Sequence, residues 1–106
     1  MLVAWTTVAT PAEAERLAGE IVARRLAACV QIDGPIRSYF PWEGRIEAIG
    51  EFRLCLKFLP AQSEALEAYV LANHPYETPE WVVVQAERVA GKYLSWAEAN
   101  STNPPL

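Results

Sequence analysis

Apolar and polar positions follow two different periods along the chain, and these periods predict strands and helices. Residues 51–58 alternate strictly between apolar and mostly charged side chains, which predicts a strand with one covered face. After Pro11 and Pro60 the apolar positions instead recur every three or four residues. That spacing predicts two helices, each covering a core on one side, because proline suits a first helical turn. Thr10 is expected to cap the first helix.

Three more strands are predicted from segments rich in apolar, β-branched and aromatic residues: residues 2–8, residues 27–32 continued by 36–42, and residues 81–85. The Asp33-Gly34-Pro35 sequence predicts a bend or bulge, and "WEGR" at 42–45 predicts a hairpin turn. Residues 81–85, "WVVVQ", are nearly continuously apolar, which predicts a central strand. Aromatic residues after Gly91 indicate a short C-terminal helix.

The predicted order of elements is β, α, β, β, α, β, followed by the short helix. This order matches an α+β, ferredoxin-like βαββαβ sandwich with an extended β-hairpin, and residues 1–106 are expected to form a single domain. The hairpin from Ala28 to Phe58 is longer than a small sheet needs. It either folds back on its own sheet or is covered by another copy of the chain, and we expect the second. The aromatic residues expected at that interface are Tyr39, Phe40, Trp42 and Trp96.

Composition narrows the classes of function. The formal net charge is −4, which does not suit nucleic acid or an acidic membrane surface, because both are bound through basic residues. No apolar run approaches the roughly 20 residues of a membrane-spanning helix, and the N-terminus lacks the pattern of a signal peptide. The two cysteines form no CxxC motif, so neither a zinc knuckle nor a redox motif is indicated. We therefore expect a cytoplasmic protein without a nucleic-acid or membrane partner.

The segment "NHPYETPE" at 73–80 contains the chain's only histidine. Pro75 disfavours helical geometry at His74, so the ring is expected to lie in a loop. There it is a structural turn, a metal or ligand contact, or a general acid or base oriented by Tyr76, Glu77 and Glu80. No Gly-rich phosphate loop or HExxH motif accompanies it.

A second group of candidates lies on the charged face of the 51–58 strand. Glu51 and Lys57 share that face and could meet Tyr76 and Glu77 in a ligand cleft between subunits. The alternative is a strand face exposed only to solvent.

Five sequence pieces, "RLAACVQI", "SYFPWEGRI", "EFRLCLKF", "HPYETPE" and "YLSWAEA", resemble the CutA divalent-cation tolerance family in order and spacing over Leu2 to Ala99. The resemblance implies a ferredoxin-like subunit of a cytoplasmic homotrimer associated with tolerance of copper or other divalent metals. The family's proposed copper ligands, one cysteine and two histidines, correspond here to Thr6, Asn73 and His74. Only His74 matches, so the expected metal site is His74, with copper(II) or another divalent cation held weakly and no organic cofactor.

Three functions stay open from the sequence. The first is a trimeric metal-response protein that binds a divalent cation or a small anionic ligand between subunits. The second is a small-molecule enzyme that uses His74, Tyr76, Glu77 and Lys57. The third is a trimeric scaffold for a partner protein. The missing nucleophile and cofactor motifs favour the first function over the second.

Overall fold

The four strands form one antiparallel sheet in the order β2-β3-β1-β4. The computed structural model describes residues 1–101. Its elements are β1 (Leu2–Val8), α1 (Pro11–Ala23), β2 (Cys29–Trp42), β3 (Arg45–Phe58), a 3₁₀ turn (Pro60–Gln62), α2 (Ser63–Asn73), β4 (Val82–Gln85) and α3 (Gly91–Ala99). This order and topology confirm the predicted ferredoxin-like α+β fold. None of these helices is long and apolar enough to cross a membrane.

The core lies between the apolar face of β3 and the apolar stripes of α1 and α2. Its large, fully buried side chains are Leu17, Ile21, Leu54, Leu56, Phe58, Leu66 and Val70. Burial of one such side chain stabilises the fold by about 1.5–3 kcal/mol. α1 begins at Pro11 as predicted, and the Thr10 hydroxyl accepts a hydrogen bond of 3.2 Å from the Glu13 amide.

β4 is an edge strand, so the prediction that residues 81–85 form a central strand is wrong. β1 is its only strand neighbour, and Val82, Val83 and Val84 are 38–51% exposed. A continuous apolar run indicates burial of both strand faces, but it does not say what buries them. Within residues 1–101, no further strand pairs with the outer edge of β4, and its backbone groups are open to another strand.

The outer half of the β2–β3 hairpin extends beyond the sheet. β1 pairs with β3 only along Phe52–Phe58, so Arg45–Glu51 has β2 as its single neighbour. At roughly 3.3 Å per residue this ribbon is about 23 Å long, and it contributes to an elongated shape of 46 × 27 × 22 Å. The hairpin tip therefore does not fold back on its own sheet.

The predicted turn and the predicted bulge are both confirmed. Glu43 and Gly44 turn the hairpin with positive φ angles of 48° and 79°. At the bulge, Gly34 and Pro35 of β2 oppose the single residue Phe52 of β3. A Cβ atom on Gly34, whose φ is 151°, would lie 2.6 Å from Phe52 Cδ1 and 3.1 Å from the Glu51 carbonyl oxygen. Glycine is needed here because β3 approaches so closely, directly beside Glu51.

We expect Gly34→Ala to lower the free energy of unfolding by about 1–3 kcal/mol, because the new methyl group strains the bulge and displaces Phe52. Gly19→Ala is the matched control, since its Cβ meets open space in the middle of α1 and should raise stability by about 0.5–1 kcal/mol. Urea denaturation of the two variants measures both effects. Equal stability of Gly34→Ala and the unmodified chain would contradict this reading of the bulge.

Candidate functional site

The connection from α2 to β4 is a stiff loop that passes the end of β1. α2 ends at Asn73, and His74 is already extended, with φ −75° and ψ 137°. Pro75 explains this end, because a residue before proline avoids helical geometry. The loop therefore brings His74 and Tyr76 beside the last residues of β1.

Hydrogen bonds occupy both ring nitrogens of His74. The Tyr76 amide donates to Nδ1 at 3.0 Å, so the neutral ring carries its proton on Nε2. Nε2 lies 3.0 Å from the Thr7 carbonyl oxygen and 3.0 Å from the Thr6 hydroxyl oxygen, and its proton is donated towards these two acceptors. His74 thus fastens the loop to β1 as a neutral side chain.

Burial keeps the ring neutral. It lowers the pKa of His74 below the ordinary value of 6.5, and the Thr7 carbonyl, which favours the charged ring, offsets only part of this. The charges of Glu13 and Glu51 act in the same direction as the carbonyl, whereas Arg16 opposes them. At neutral pH the ring therefore keeps the hydrogen bonds described above.

This arrangement does not fit His74 as the predicted metal ligand. A metal ion needs an unprotonated nitrogen with a free lone pair, and here one nitrogen is protonated while the other accepts from Tyr76. Asn73, at the second expected position, donates through its side-chain amide to the Tyr69 carbonyl oxygen. Within residues 1–101, no three His, Cys, Asp or Glu side chains are arranged to hold one metal ion.

Tyr76 and Glu51 form the second fixed contact of the loop. The Tyr76 hydroxyl donates to Glu51 Oε2 at 2.7 Å, and Glu51 is only 5% exposed. Burial, followed by the nearby carboxylate, raises the pKa of Tyr76, so the phenol keeps its proton and remains the donor. Among the described residues, no Lys, Arg or His side chain forms a salt bridge with Glu51.

A cleft of about 920 Å³ opens above this pair, between the root of the hairpin, the loop and the end of β1. Four of its lining residues are carboxylates, namely Glu47, Glu51, Glu77 and Glu80. Three more are aromatic, namely Phe40, Trp42 and Tyr76. None of the described residues that line the cleft is basic. The site therefore combines negative charge with aromatic walls.

The structure brings three of the four predicted cleft residues together and leaves the fourth elsewhere. Glu51, Tyr76 and Glu77 line one cleft. Lys57 lies six residues farther along β3, about 20 Å from Glu51 at roughly 3.3 Å per residue. Its ammonium group lies over the ring of Tyr93, 5.6 Å from the centroid. Within one chain, the side chains considered for an enzyme do not converge.

The hairpin residues predicted at an interface lie on two different faces. Phe40 and Trp42 line the cleft, and the pairing of Phe40 with Glu47 places Glu47 on the same face. Tyr39 and Ile46 lie on the opposite face. Tyr39 is 71% exposed and Ile46 is 80% exposed. Sequence reasoning missed Ile46 and Glu47. Counting residue pairs outward from the predicted turn would have found both.

Trp96, the fourth residue predicted at an interface, lies on α3. Its ring stacks on that of Tyr93, with 5.5 Å between centroids, and the residue stays partly exposed. It therefore lies apart from the hairpin aromatics within the chain.

The bonding of His74 predicts a pH dependence of stability. Since the folded pKa is lower than that of the unfolded chain, unfolding takes up a proton between the two values. The contribution of His74 to the free energy of unfolding is complete above the pKa of the unfolded chain, near 6.5. It is lost as the pH falls through the folded pKa. In His74→Gln, the free energy of unfolding should fall less between about pH 7 and about pH 5.5 than in the unmodified chain. Urea denaturation at constant protein concentration measures this difference. If the free energy of unfolding falls equally in both proteins, His74 is not the titrating group.

Comparison with known proteins places the chain among relatives. The family model described as "CutA1 divalent ion tolerance protein" matches residues 2–100. The rice "Protein CutA 1, chloroplastic" (Oryza sativa subsp. japonica) is 38% identical over 101 residues, which are 95% of this chain and 56% of that protein. The Pectobacterium atrosepticum "Divalent-cation tolerance protein CutA" is 36% identical over 87 residues, 82% of this chain and 79% of that protein. The chain thus spans about half the length of its plant relative.

A solved structure agrees with these sequence matches. It is described as the "Periplasmic divalent cation tolerance protein CutA from Archaeoglobus fulgidus" and is 35% identical in sequence. The similarity covers 96% of this chain and all of that one, with a TM-score of 0.90. On the family match, the sequence identities and the shared fold together, the chain belongs to the CutA family of divalent-cation tolerance proteins.

Proposed function

We propose that the chain is a homotrimeric protein of divalent-cation tolerance that attracts cations into the acidic cleft and performs no covalent chemistry. The observation that carries the proposal is the lining of the cleft, which has four glutamates and no basic residue. A concave site with one sign of charge and apolar walls raises the local concentration of the opposite ion. The tolerance names of the relatives agree with an affinity for cations.

Within this proposal the ligand of the cleft is a cation rather than the small anion considered from the sequence. An anion needs a basic partner, and Lys57 lies outside the lining. Carboxylate oxygens suit hard divalent cations, but those of the cleft do not converge on one point. The proposed metal binding is therefore weak and mediated by water. Copper(II) would bind in the same weak way as other divalent cations, because both nitrogens of the His74 ring are engaged in hydrogen bonds.

Two uncovered surfaces support the proposed trimer. One is the outer edge of β4, with its exposed valines, and the other is the hairpin face that contains Tyr39 and Ile46. An exposed strand edge and an apolar face are both stabilised by pairing with a second copy. We also propose a cytoplasmic location, supported by the free thiols of Cys29 and Cys55, which suit a reducing compartment.

The alternatives have less support. An enzyme using His74, Tyr76, Glu77 and Lys57 would need these groups around one substrate. The His74 nitrogens and the Tyr76 hydroxyl are engaged in hydrogen bonds, and Lys57 lies at the far end of β3. A scaffold for a partner protein would use the same exposed surfaces as the trimer, so the assembly state decides between them.

The trimer is tested by the mass of the purified chain in dilute solution. Light scattering should give about three times 11.8 kDa. We expect Ile46→Lys to lower this mass, because it places a charge in the proposed contact. Leu71→Lys is the matched control, since Leu71 is also an exposed apolar residue but lies on α2, away from both surfaces. A single-chain mass for the unmodified protein would overturn the trimer.

Cation binding is tested by equilibrium dialysis with copper(II) and with magnesium. Glu77→Gln should weaken binding severalfold by removing one charge from the cleft, whereas His74→Gln, which removes no charge from the cleft and keeps a donor and an acceptor for the loop, should weaken it less. Loss of copper binding in His74→Gln alone would locate the metal at the ring. The absence of any cation binding would contradict the proposed function.

A further inference from the structure

The cleft contains a buried carboxyl group, that of Glu51, which forms no salt bridge within residues 1–101. Glu51 is at least nine-tenths buried and lines the cavity, and the one hydrogen bond to its carboxylate described above comes from the neutral Tyr76 hydroxyl. Removing a carboxylate from water is costly unless an opposite charge and hydrogen-bond donors compensate for the lost hydration. A phenol supplies one donor and no charge. The bottom of the cleft is therefore suited to a positively charged group with N–H donors.

The walls of the cleft favour an organic cation over a bare metal ion. Phe40 and Trp42 reach the cavity from the hairpin, opposite Tyr76 on the loop. Aromatic faces attract ammonium groups and also cover an apolar stem, whereas a hydrated metal ion gains little from them. The volume of about 920 Å³ is in the range of sites for small molecules.

The placement of the carboxylates also favours an organic cation over a bare metal ion. Within residues 1–101, no three potential ligands are placed to hold one metal ion. Glu47 and the buried Glu51 lie on β3, and Glu77 and Glu80 lie on the loop between α2 and β4, so the carboxylates come from two separate segments. Separated carboxylates suit a molecule that has separated charges along a flexible stem.

We propose that the cleft is a binding site for an organic ammonium compound, with one ammonium group on Glu51 and the stem between Phe40 and Trp42. The proposal deepens the cation-binding role above and rests on it. In this arrangement the ammonium donates to the Glu51 carboxylate next to the Tyr76 hydroxyl, and a second ammonium of a diamine reaches the carboxylates at the mouth. Binding involves no change in covalent bonds.

The test compares putrescine with magnesium in calorimetric titrations of the chain at about 0.15 M salt, where long-range attraction between exposed charges is largely screened. Both ions carry two positive charges, so general electrostatic attraction affects them alike, and only putrescine has a stem. We expect saturable binding of one putrescine per chain that an equal concentration of magnesium does not displace. Absence of saturable binding, or displacement by magnesium at equal concentration, would overturn the proposal. A basic side chain of a second copy filling the cleft would likewise appear as absence of binding.

Variants locate the site. Glu51→Gln keeps a hydrogen-bond acceptor but removes the charge and should weaken putrescine binding about tenfold or more. Trp42→Leu should weaken putrescine binding about fivefold or more, because it removes an aromatic wall. This variant keeps the hydrogen bond between Tyr76 and Glu51, so it tests the site even if Glu51→Gln does not fold. Glu15→Gln, on the exposed surface of α1, removes the same charge outside the cleft and should change nothing. Equal losses in Glu15→Gln and in the cleft variants would show non-specific attraction and overturn the site.

This result is independent of the divalent-cation test. Metal binding that depends on Glu77, without any binding of putrescine, would leave the proposed function standing and remove only the organic ligand. Putrescine binding without measurable metal binding would support the ammonium site and contradict the metal role.

Discussion

The structure depends on a mismatch in strand length. β3 has 14 residues and β1 has seven, so half of the hairpin has no third strand beside it. An isolated two-stranded ribbon is only marginally stable in water, and this one carries apolar residues on both faces. Other parts of the molecule therefore have to support the ribbon. The loop between α2 and β4 does so on one face, while on the other face Tyr39 and Ile46 remain largely exposed within residues 1–101.

The loop supports the hairpin through two contacts of different kinds. His74, as a neutral ring, holds the loop to β1, and Tyr76 then reaches Glu51 at the root of the hairpin. A hydrogen bond to a buried carboxylate is worth about 1.5–3 kcal/mol. The exposed ion pair between Arg53 and Asp33 also joins β2 to β3, but solvent screens it and it contributes little to stability. The loop contacts therefore matter more to the hairpin root, and the same contacts shape the cleft.

Local patterns predicted much of this fold because the features they encode are local. The start of α1 at Pro11, the turn at Glu43-Gly44 and the bulge at Gly34 each follow from a few neighbouring residues. The position of β4 could not be read in this way, since an apolar run looks the same whether its own chain or a second copy covers it. Strand alternation indicated that Glu51 could meet Tyr76 and Glu77 in a cleft between subunits, and the three residues line one cleft within the chain. The distance of Lys57 was not, because alternation gives the face of a residue and not its position along the strand.

The role of His74 was the least accessible from the sequence. An imidazole next to proline suits a metal ligand as well as a structural hydrogen bond, and only the partners on both nitrogens separate the two. Those partners lie on a strand 67 residues away in the chain and on the next turn of the loop. The full lining of the cleft could not be predicted without the residue pairs of the hairpin, which place Glu47 beside Phe40.

The proposed trimer makes the outer hairpin stable by covering, with a second copy, the face that contains Tyr39 and Ile46. Amide hydrogen exchange of the dilute native protein tests this most directly, since it reports the local opening of the ribbon. The account predicts slow exchange across residues 36–51, close to that of the core strands, and faster exchange when dilution separates the subunits. Rapid exchange throughout the outer hairpin at all concentrations, with a protected core, would show a ribbon that stands alone and would contradict the account.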